Sequence, residues 1–300
     1  MDKILLLGAN GQVGWELQRS LTLLGEVNVC GKHEANFENL EELGQLVDDY
    51  QPTIIVNAAA YTAVDKAESE PERVAQINAV AVKLLAQKAK QLNAWLVHYS
   101  TDYIFDGSNS VPYKESDKPN PQSVYGVTKL QGEKNIQEVA CKHLIFRTSW
   151  VYAARGANFA KTMIKLAKER DELKVINDQI GAPASAELIA DITSLCLFRV
   201  KQDSNSKLSG LYNLVPDGEV SWFGFAKYVI TLAEKYGVNL KVTPENIQPI
   251  PTTDYPTSAK RPMNSRLDVN KIKDAFGVNI PHWKTHVHRL IEELYTEGPA

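Results

Sequence analysis

The amino-terminal half of the chain alternates short apolar runs with longer amphipathic segments. The first apolar run, Lys3–Leu7, leads directly into a glycine-rich turn and then into a segment with helical periodicity. This alternation is typical of βα repeats, in which crossover helices cover a parallel sheet. The runs are almost continuously apolar, which indicates strands buried on both faces. We therefore predict an α/β fold with a Rossmann-like doubly wound parallel sheet and a smaller, interleaved α/β domain.

The predicted elements cover most of the chain. The strands of the first sheet are predicted at Lys3–Leu7, Val27–Cys30, Thr53–Asn57, Trp95–Ser100 and His143–Thr148. The helices between them are predicted at Gln12–Leu24, Leu40–Tyr50, Glu72–Leu92 and Val124–Val139. Beyond these, we predict helices at Asn158–Arg170, Ala186–Phe198, Trp222–Tyr236 and His282–Tyr295, and strands at Lys174–Asn177 and Gly210–Val215. The Pro-, Thr- and Ser-rich stretch Asn246–Arg266 is predicted to be loop, and Lys201–Lys207 is the nearest approach to a linker.

Three glycines follow the first predicted strand at regular spacing. Gly8, Gly11 and Gly14 form the pattern G-x-x-G-x-x-G, and the first predicted helix begins within it. A tight turn without side chains lets the backbone approach a pyrophosphate, and the free N–H groups of a helix N-terminus stabilise its charge. A sharp βα turn without a ligand would also use glycine here. The position between strand and helix favours a dinucleotide.

The end of the second predicted strand bears on which dinucleotide is used. Folds that select NAD often place an acid there to accept hydrogen bonds from the adenosine ribose. Here Cys30 is followed by Gly31 and Lys32, with no acid at the strand end. A lysine can meet a 2′-phosphate, so we expect NADPH to be used, or NADPH and NADH both. The alternative is that Lys32 is an exposed turn residue.

Small residues end the third predicted strand, in the sequence Asn57-Ala58-Ala59-Ala60. They leave room for a cofactor ring, although they would equally relieve helix packing. Ligands of such folds bind outside the carboxyl ends of the strands, which favours the cofactor role.

Composition limits the classes of partner. A length of 300 residues suits one large domain or two unequal ones. With a net charge of -3 and no long Lys/Arg block, nucleic acid is not an expected partner. Cys30, Cys141 and Cys196 are widely spaced, which argues against a disulfide framework and a Cys-based zinc site. No apolar run approaches the roughly 20 residues of a membrane span, so we expect a cytoplasmic protein without a membrane partner.

A tyrosine and a lysine four residues apart open the predicted helix Val124–Val139. The spacing places Tyr125 and Lys129 on one helix face. A phenol, with an ordinary pKa of about 10, is a poor acid at neutral pH unless a cation favours its phenolate. Lys129 is therefore expected to lower the pKa of Tyr125, and it can also hydrogen-bond a nicotinamide ribose.

Hydroxyl groups end the preceding predicted strand, at Ser100 and Thr101, followed by Asp102. Either hydroxyl could polarise a substrate carbonyl oxygen while Tyr125 protonates it after hydride attack. The residues alone leave the choice between Ser100 and Thr101 open. Together with Lys129, these groups predict a carbonyl reductase.

These motifs resemble the extended short-chain dehydrogenase/reductase superfamily, through Gly8/Gly11/Gly14 and Tyr125/Lys129. Five longer segments resemble the dTDP-4-dehydrorhamnose reductase family over essentially the whole chain. They are residues 11–17 (GQVGWEL), 56–68 (VNAAAYTAVDKAE), 98–105 (HYSTDYIF), 146–152 (FRTSWVY) and 261–267 (RPMNSRL). The resemblance implies reduction of the 4-keto group of dTDP-4-dehydro-L-rhamnose with NADPH or NADH, the last step in making dTDP-L-rhamnose for polysaccharide.

The resemblance also implies a role for individual residues. Tyr125 would be the proton donor, Lys129 its partner and Thr101 the carbonyl-polarising hydroxyl. Thr101, Asp102 and Trp150 are expected on the substrate side, where an indole offers an apolar wall to a deoxy sugar. The cofactor-binding set is expected to comprise Gly8, Asn10, Gly11, Gln12, Val13, Gly14, Cys30, Asn36, Phe37, Ala60, Tyr61, Thr62, Tyr125 and Lys129.

A metal is implied by the resemblance alone. The family is described as binding magnesium at a homodimer contact through glutamates that correspond to Glu16, Glu187 and Glu293. Carboxylates suit a hard cation, but their sequence spacing does not itself predict a site, and surface glutamates are the alternative. His282 and His286 have helical i,i+4 spacing without a third ligand nearby, which argues against a histidine metal site.

Two arginines in the Pro-rich stretch suit an anionic substrate. Arg261 and Arg266 carry guanidinium groups, whose geometry matches phosphate, so we expect them near the pyrophosphate of a dTDP-sugar.

The positions of the motifs predict how the domains divide. Residues 1–150 would form the dinucleotide-binding domain, with residues 183–215 returning to it. Residues 151–182 and 216–300 would form mainly the substrate-binding domain.

Two other functions remain open at this point: a nucleotide-sugar epimerase or dehydratase, and a non-catalytic dinucleotide-binding regulatory subunit of the same fold. The Asp-Glu pair of related dehydratases is not matched by Asp102-Tyr103.

Overall fold

The first sheet has six parallel strands covered by helices, as the sequence predicts. The computed structural model describes residues 1–202 and 207–296. The strands of this first sheet are β1 (Asp2–Leu7), β2 (Gly25–Cys30), β3 (Ile54–Asn57), β4 (Trp95–Thr101), β5 (Lys142–Thr148) and β8 (Gly210–Asn213). They are hydrogen-bonded in the order β2-β1-β3-β4-β5-β8. The strand order changes direction between β1 and β3, and such a switch point opens a crevice at the carboxyl ends of the strands.

Helices lie on both faces of this sheet. They are α1 (Gln12–Leu21), α2 (Leu40–Tyr50), α3 (Val64–Ala67), α4 (Pro71–Ala75), α5 (Ala81–Gln91), α6 (Val124–Val139) and α8 (Ala186–Gln202). One apolar cluster joins α1 and α8 to the sheet, and a second joins α2 and α5 to its other face. The alternating side chains of buried strands such as β1 supply both clusters, which explains their continuous apolar runs.

The remaining elements follow β5 in the sequence. They are α7 (Phe159–Glu169), β6 (Leu173–Ile176), β7 (Ile180–Gly181), β9 (Val220–Ser221), α9 (Trp222–Lys235), β10 (Ile247–Ile250), α10 (Asn270–Phe276) and α11 (Trp283–Tyr295). Strand β8 pairs with β5, so the chain returns to the first sheet before it enters α9. The division into two domains at the expected boundaries stays a prediction. Of the expected linker Lys201–Lys207, residues 203–206 lie outside the described part of the chain.

The prediction that Asn246–Arg266 is entirely loop was wrong. Residues Ile247–Ile250 form β10, which pairs in parallel with β6. Pro249 lies within this strand, and proline is confined to edge strands because it has no N–H to donate. A two-stranded sheet has only edges, so the proline is tolerated here. Short 3₁₀ turns flank the strand at Pro244–Asn246 and Thr252–Asp254.

The predicted helix Glu72–Leu92 is interrupted by a π-helical turn. The segment runs from α4 through the π-helical turn Gln76–Val80 into α5. π-helical turns are rare and are frequent at functional sites. Within this turn, the buried Asn78 side chain donates to Tyr61 O at 3.2 Å, and its Oδ1 accepts from Tyr61 N at 2.9 Å. The helix insertion therefore holds the backbone that follows β3.

No helix in the described ranges is both long enough and apolar enough to cross a membrane.

The glycine turn after β1 generates a stability prediction. A Cβ on Gly14 would lie 2.1 Å from the carbonyl oxygen of Gly8, so alanine there must displace backbone. We expect Gly14→Ala to lower the free energy of unfolding by about 1 to 3 kcal/mol. Gly44→Ala, inside α2, is the matched control, because a Cβ there makes only ordinary van der Waals contacts, with Lys88 Cε at 3.6 Å and Leu84 Cδ2 at 3.9 Å. This control should gain up to about 1 kcal/mol from helix propensity. Urea denaturation of both variants measures the difference, and equal stabilities would contradict the assignment.

Candidate active site

A cleft opens at the switch point between β1 and β3. Its volume is about 450 Å³, and its walls come from the turns that follow β1, β2 and β3. Eight residues of the expected cofactor-binding set line it: Gly8, Asn10, Gly11, Asn36, Phe37, Ala60, Tyr61 and Thr62. Lys32, Lys66 and Arg73 add positive charge to the same walls.

Gln12, Val13, Gly14 and Cys30 of that set do not line the cleft. Gln12 accepts a hydrogen bond from Asn158 Nδ2 at 3.0 Å, which ties the glycine turn to the start of α7. Val13 packs against the apolar core, and Gly14 makes the close backbone approach described above. The carbonyl oxygen of Cys30 accepts hydrogen bonds from the N–H groups of Gly8 and Ala9. These residues shape the turn instead of lining the cleft.

Backbone contact between two turns forms the floor of the cleft. Gly8 has a φ of 81°, and a Cβ on it would lie 2.4 Å from Ala59 N. Only glycine combines this left-handed conformation with so close an approach. Helix α1 begins just beyond, and its N-cap Gly11 offers no side chain to its free N–H groups. A pyrophosphate fits this arrangement, because those N–H groups and the helix dipole are free to bind it.

Tyr125 and Lys129 lie on the first two turns of α6, beside the end of β4. The Oγ of Ser123 accepts the Gly126 N–H at 3.2 Å and starts the helix. A Cβ on Gly126 would lie 2.2 Å from Tyr103 O, so the glycine lets the helix start close to the turn after β4. This packing places Tyr125 beside Thr101 and Asp102, which act on its pKa. The predicted catalytic side chains therefore come together at one edge of the sheet.

The expectation that Lys129 lowers the pKa of Tyr125 was wrong. Burial raises the pKa of Tyr125 to about 12, Asp102 adds to the rise, and the hydroxyl of Thr101 opposes it. Lys129 does not counter the rise, because its Nζ donates to Tyr99 O at 2.5 Å and lies 3.2 Å from His98 Nε2. Burial also lowers the pKa of Lys129 to about 8. Tyr125 therefore carries its proton at neutral pH, as a proton donor must.

The structure distinguishes the two candidate hydroxyls. Thr101 Oγ1 donates to Asp102 Oδ1 at 3.1 Å and interacts with Tyr125. Ser100 is also buried, but its Oγ has no hydrogen-bond partner within the described residues. Ser100 precedes Thr101 in the strand, so it points to the opposite face of the sheet. Thr101 is thus the hydroxyl that lies beside the phenol.

Asp102 is almost completely buried beneath these hydroxyls. Burial raises the pKa of its carboxyl to about 6, although Ser265 and Thr101 oppose the rise. Its Oδ2 makes no hydrogen bond to any described residue.

Trp150 has an uncommon backbone conformation at the end of β5. Its φ is 50°, which is unusual for a bulky residue, and such residues cluster at functional sites. Its indole stacks on that of Trp222, with ring centroids 3.6 Å apart and an interplanar angle of 15°. Gly181 lies against the ring, where a Cβ would be 2.8 Å from Trp150 Cε2. Sequence reasoning missed Trp222, because no spacing relates it to Trp150.

The two predicted arginines have different surroundings. Arg261 Nη2 donates to Asp65 Oδ2 at 2.7 Å, and the buried Arg261 Nε has no partner among the described residues. The charge of Arg261 also acts on the pKa of Tyr103, which stacks edge-on against Tyr125. Arg261 therefore lies near the catalytic groups, and Asp65 is a neighbour that sequence reasoning missed.

Arg266 is held by protein acceptors. Its Nε donates to Asn264 Oδ1 at 2.8 Å, Nη1 to Glu219 Oε2 at 3.0 Å and Nη2 to Ser110 O at 2.7 Å. All three guanidinium nitrogens are thus engaged in contacts with the protein, and one of them holds the loop at Ser110.

The three glutamates expected to bind magnesium lie near one another. Burial raises the pKa of Glu16, and the carboxylates of Glu187 and Glu293 add to the rise. Glu187 already accepts two hydrogen bonds from Arg289, at 3.1 and 2.7 Å. Across residues 1–202 and 207–296, no three His, Cys, Asp or Glu side chains are placed to hold a metal ion. A single chain therefore does not provide the expected site, and magnesium stays a prediction.

A buried ion pair anchors α6 to the neighbouring strand. Glu133 accepts from Arg147 Nε at 3.0 Å and from Nη2 at 2.7 Å. Both side chains are almost fully buried, with 2% and 4% of their surface exposed. Arg147 also donates to Glu115 O, and the ring of Phe105 lies 5.2 Å from its guanidinium carbon.

The doubly wound sheet, the glycine turn and the Tyr125/Lys129 pair define the short-chain dehydrogenase/reductase class. Comparison with known proteins narrows this class. The family described as the RmlD substrate binding domain matches residues 1–296. The dTDP-4-dehydrorhamnose reductase of Escherichia coli K12 is 50% identical over 297 residues, which are 98% of each chain. This chain belongs to the dTDP-4-dehydrorhamnose reductase family.

Solved structures agree in fold over almost the whole chain. The dTDP-4-dehydrorhamnose reductase of Bacillus anthracis in complex with NADP is 34% identical with a TM-score of 0.87. The alignment covers 97% of this chain and 99% of that one. A reductase of the same name from Clostridium acetobutylicum is 36% identical with a TM-score of 0.88, at the same coverage of 97% and 99%.

The buried ion pair generates a second stability prediction. Glu133→Leu leaves the Arg147 guanidinium buried without its carboxylate, so we expect a loss of about 3 to 5 kcal/mol in the free energy of unfolding. Asp191→Ala is the control, since it removes an exposed pair with Arg19 and should cost less than about 1 kcal/mol. Urea denaturation compares the two variants. If Glu133→Leu lost no more free energy of unfolding than Asp191→Ala, water would have to hydrate the Arg147 guanidinium in place of the carboxylate, which would contradict the prediction.

Proposed function

We propose that this protein uses NADPH or NADH to reduce the 4-keto group of dTDP-4-dehydro-L-rhamnose to dTDP-L-rhamnose. The observation that carries the proposal is the convergence of Thr101, Tyr125 and Lys129 at the sheet edge beside the cleft, in a member of this reductase family. Such an enzyme would complete dTDP-rhamnose biosynthesis.

The catalytic residues supply a proton and a polarised carbonyl. When bound, a reduced nicotinamide supplies the hydride that adds to C4 of the sugar. Tyr125 then donates its phenolic proton to the C4 oxygen, and the product is an alcohol. The raised pKa of Tyr125 keeps that proton in place until negative charge develops on the oxygen. Thr101 Oγ1 can donate to the same oxygen if it turns away from Asp102, and so favour the developing charge.

Binding of the sugar nucleotide is proposed for side chains from both halves of the chain. The stacked indoles of Trp150 and Trp222 offer a rigid apolar wall to the sugar. Arg261 is proposed to exchange its contact with Asp65 for the pyrophosphate, because its buried Nε has no hydrogen-bond partner among the described residues. Arg266 would bind phosphate only after giving up its three protein acceptors. Asp102 is proposed to act through Thr101.

The cleft fits either nicotinamide dinucleotide, and its charge supports NADPH. Lys32 lines the cleft, is exposed and forms no salt bridge within the described residues. Arg73, by contrast, is paired with Glu38 at 2.9 Å. Lys32 is therefore the free cation proposed to meet a 2′-phosphate. The related structure from Bacillus anthracis contains NADP.

Three further assignments remain proposals. Magnesium at Glu16, Glu187 and Glu293 would need ligands from a second copy, consistent with a homodimer. A cytoplasmic location is proposed from the three free cysteines, all of which are buried.

A nucleotide-sugar epimerase and a regulatory subunit are the alternative functions. An epimerase would recycle the hydride without net consumption of NADPH, and a regulatory subunit would bind dinucleotide without turnover.

The central test follows NADPH oxidation by absorbance with dTDP-4-dehydro-L-rhamnose. We expect one NADPH to be oxidised per sugar reduced, and Tyr125→Phe to lower kcat by at least about 100-fold, because the proton donor is lost. Tyr228→Phe, on α9, is the control and should keep the wild-type rate. An unchanged kcat in Tyr125→Phe would exclude the proposed donor. Absence of net NADPH oxidation in the wild type would favour the epimerase or the regulatory subunit.

Cofactor preference is tested at Lys32. A charge-assisted hydrogen bond contributes about 1.5 to 3 kcal/mol, so Lys32→Ala should lower kcat/KM for NADPH by about tenfold or more and change it little for NADH. Lys83→Ala removes an exposed lysine outside the cleft and should leave both values unchanged. Equal losses with the two cofactors would show that Lys32 does not contact a 2′-phosphate.

A further inference from the structure

A buried chain of hydrogen-bonding groups connects the floor of the cleft to Lys129. Asn57 Oδ1 accepts from Ala59 N at 3.1 Å, and Asn57 Nδ2 lies 3.2 Å from His98 Nδ1. His98 Nε2 lies 3.2 Å from Lys129 Nζ, which donates to Tyr99 O at 2.5 Å. Asn57, His98 and Lys129 are at most 2% exposed, so water does not share these contacts. These hydrogen-bonded side chains connect β3, through β4, to α6.

The first link sets the orientation of every later one. A backbone N–H can only donate, so the Asn57 atom facing Ala59 must be the amide oxygen. The Asn57 amide nitrogen then faces His98 Nδ1 and donates to it. Nδ1 must therefore offer a lone pair. A doubly protonated ring would place a second donor, Nδ1–H, against the Asn57 amide donor, and burial lowers the pKa of His98 well below its ordinary value. The ring is therefore neutral and carries its proton on Nε2.

This tautomer faces Lys129 with a donor. A charged lysine has three N–H donors and no acceptor, so an ammonium at Nζ would meet the Nε2–H of His98 donor to donor. A neutral amine has a lone pair that accepts this hydrogen bond, and it still donates to Tyr99 O. To accept a hydrogen bond from a protonated Lys129, His98 must move its proton to Nδ1, where it faces the Asn57 amide donor. If the Asn57 amide then turns over to accept this proton, its NH₂ group faces the Ala59 N–H instead.

We propose that Asn57 and His98 are positioning residues for the catalytic lysine: they hold the Nε2–H tautomer of His98, which orients Lys129 Nζ and disfavours its protonation. The inference rests on the proposed role of Lys129 in reduction. Because Ala59 also lines the cleft, the same series of hydrogen bonds connects the proposed cofactor site to Lys129.

The charged neighbour of Lys129 opposes the lowering of its pKa. On α6, Glu133 favours the charged amine, but its carboxylate is already bound by Arg147 of β5. Tyr125, one turn earlier, is neutral at physiological pH because burial raises its pKa. His98 is the titratable group on β4 in contact with the amine, and the π-helical turn Gln76–Val80 contains none. Burial lowers the pKa of Lys129 to about 8 in spite of Glu133, and the hydrogen-bond chain is proposed to act in the same direction as burial.

The tautomer is observable directly by ¹⁵N NMR of the histidine rings in the cofactor-free protein. We expect His98 to show a bare Nδ1 and a protonated Nε2. His143 is the internal control, because its Nδ1 lies 2.8 Å from Cys141 O and must carry the proton when the ring is neutral. The two histidines should therefore show opposite patterns. A His98 ring protonated on Nδ1 would overturn the inference without any variant.

Two substitutions test the coupling to Lys129. Asn57→Asp replaces the amide donor with an acceptor and should move the His98 proton to Nδ1. His98→Gln offers Lys129 an amide oxygen without adding charge. In both variants we expect the pKa of Lys129 to rise by at least about one pH unit toward its ordinary value near 10.4, read from its ¹³Cε resonance. His143→Gln is the control and should leave that resonance unchanged.

The outcomes separate this inference from the proposed function. A rise only in Asn57→Asp would mean that its added charge acts alone, which overturns the inference, as does no rise in either variant. The pH at which Lys129 limits kcat/KM should rise in parallel in both variants. Failure of the wild type to reduce dTDP-4-dehydro-L-rhamnose would overturn the proposed function, while the NMR results still decide the tautomer.

Discussion

The burial of two charged side chains on α6 is the constraint on which the active site depends. Moving an ionisable group out of water is costly unless partners satisfy its donors and acceptors. Lys129 contacts Tyr99 O and His98 on β4, and Glu133 accepts hydrogen bonds from Arg147 on β5. These partners lie on adjacent strands, so they set the position and rotation of the helix. Tyr125 is therefore held beside Thr101 by contacts one and two turns away.

A second constraint is the contact between the turns after β1 and β3. The conformation of Gly8 and its approach to Ala59 bring the glycine turn against the small residues that end β3. Ala59 in turn donates to Asn57, at the start of the chain of contacts that leads to Lys129. The cleft and the catalytic groups thus share one set of backbone positions at the sheet edge.

The carboxyl-terminal half reaches this edge through a few polar contacts. Asp65 accepts from Ala259 N and Arg261 Nη2, and Gln12 accepts from Asn158. These contacts join loops of the later elements to the turn after β3 and the glycine turn after β1. They place the Trp150–Trp222 stack and Arg261 around the site where the keto sugar is proposed to bind. The few charges involved explain how a chain of net charge -3 can accommodate an anionic substrate.

The sequence by itself determined the parallel sheet, the glycine turn and the placement of Tyr125 and Lys129 on one helix, because periodicity and spacing along one element are local properties. Only the tertiary structure decided that Thr101 and not Ser100 faces the phenol, that Arg266 is occupied by protein acceptors and that β10 forms despite Pro249. It also reversed the expected pKa shift of Tyr125. Burial and hydrogen-bond partners depend on residues distant in the sequence, and those contacts arise only when strands and helices pack.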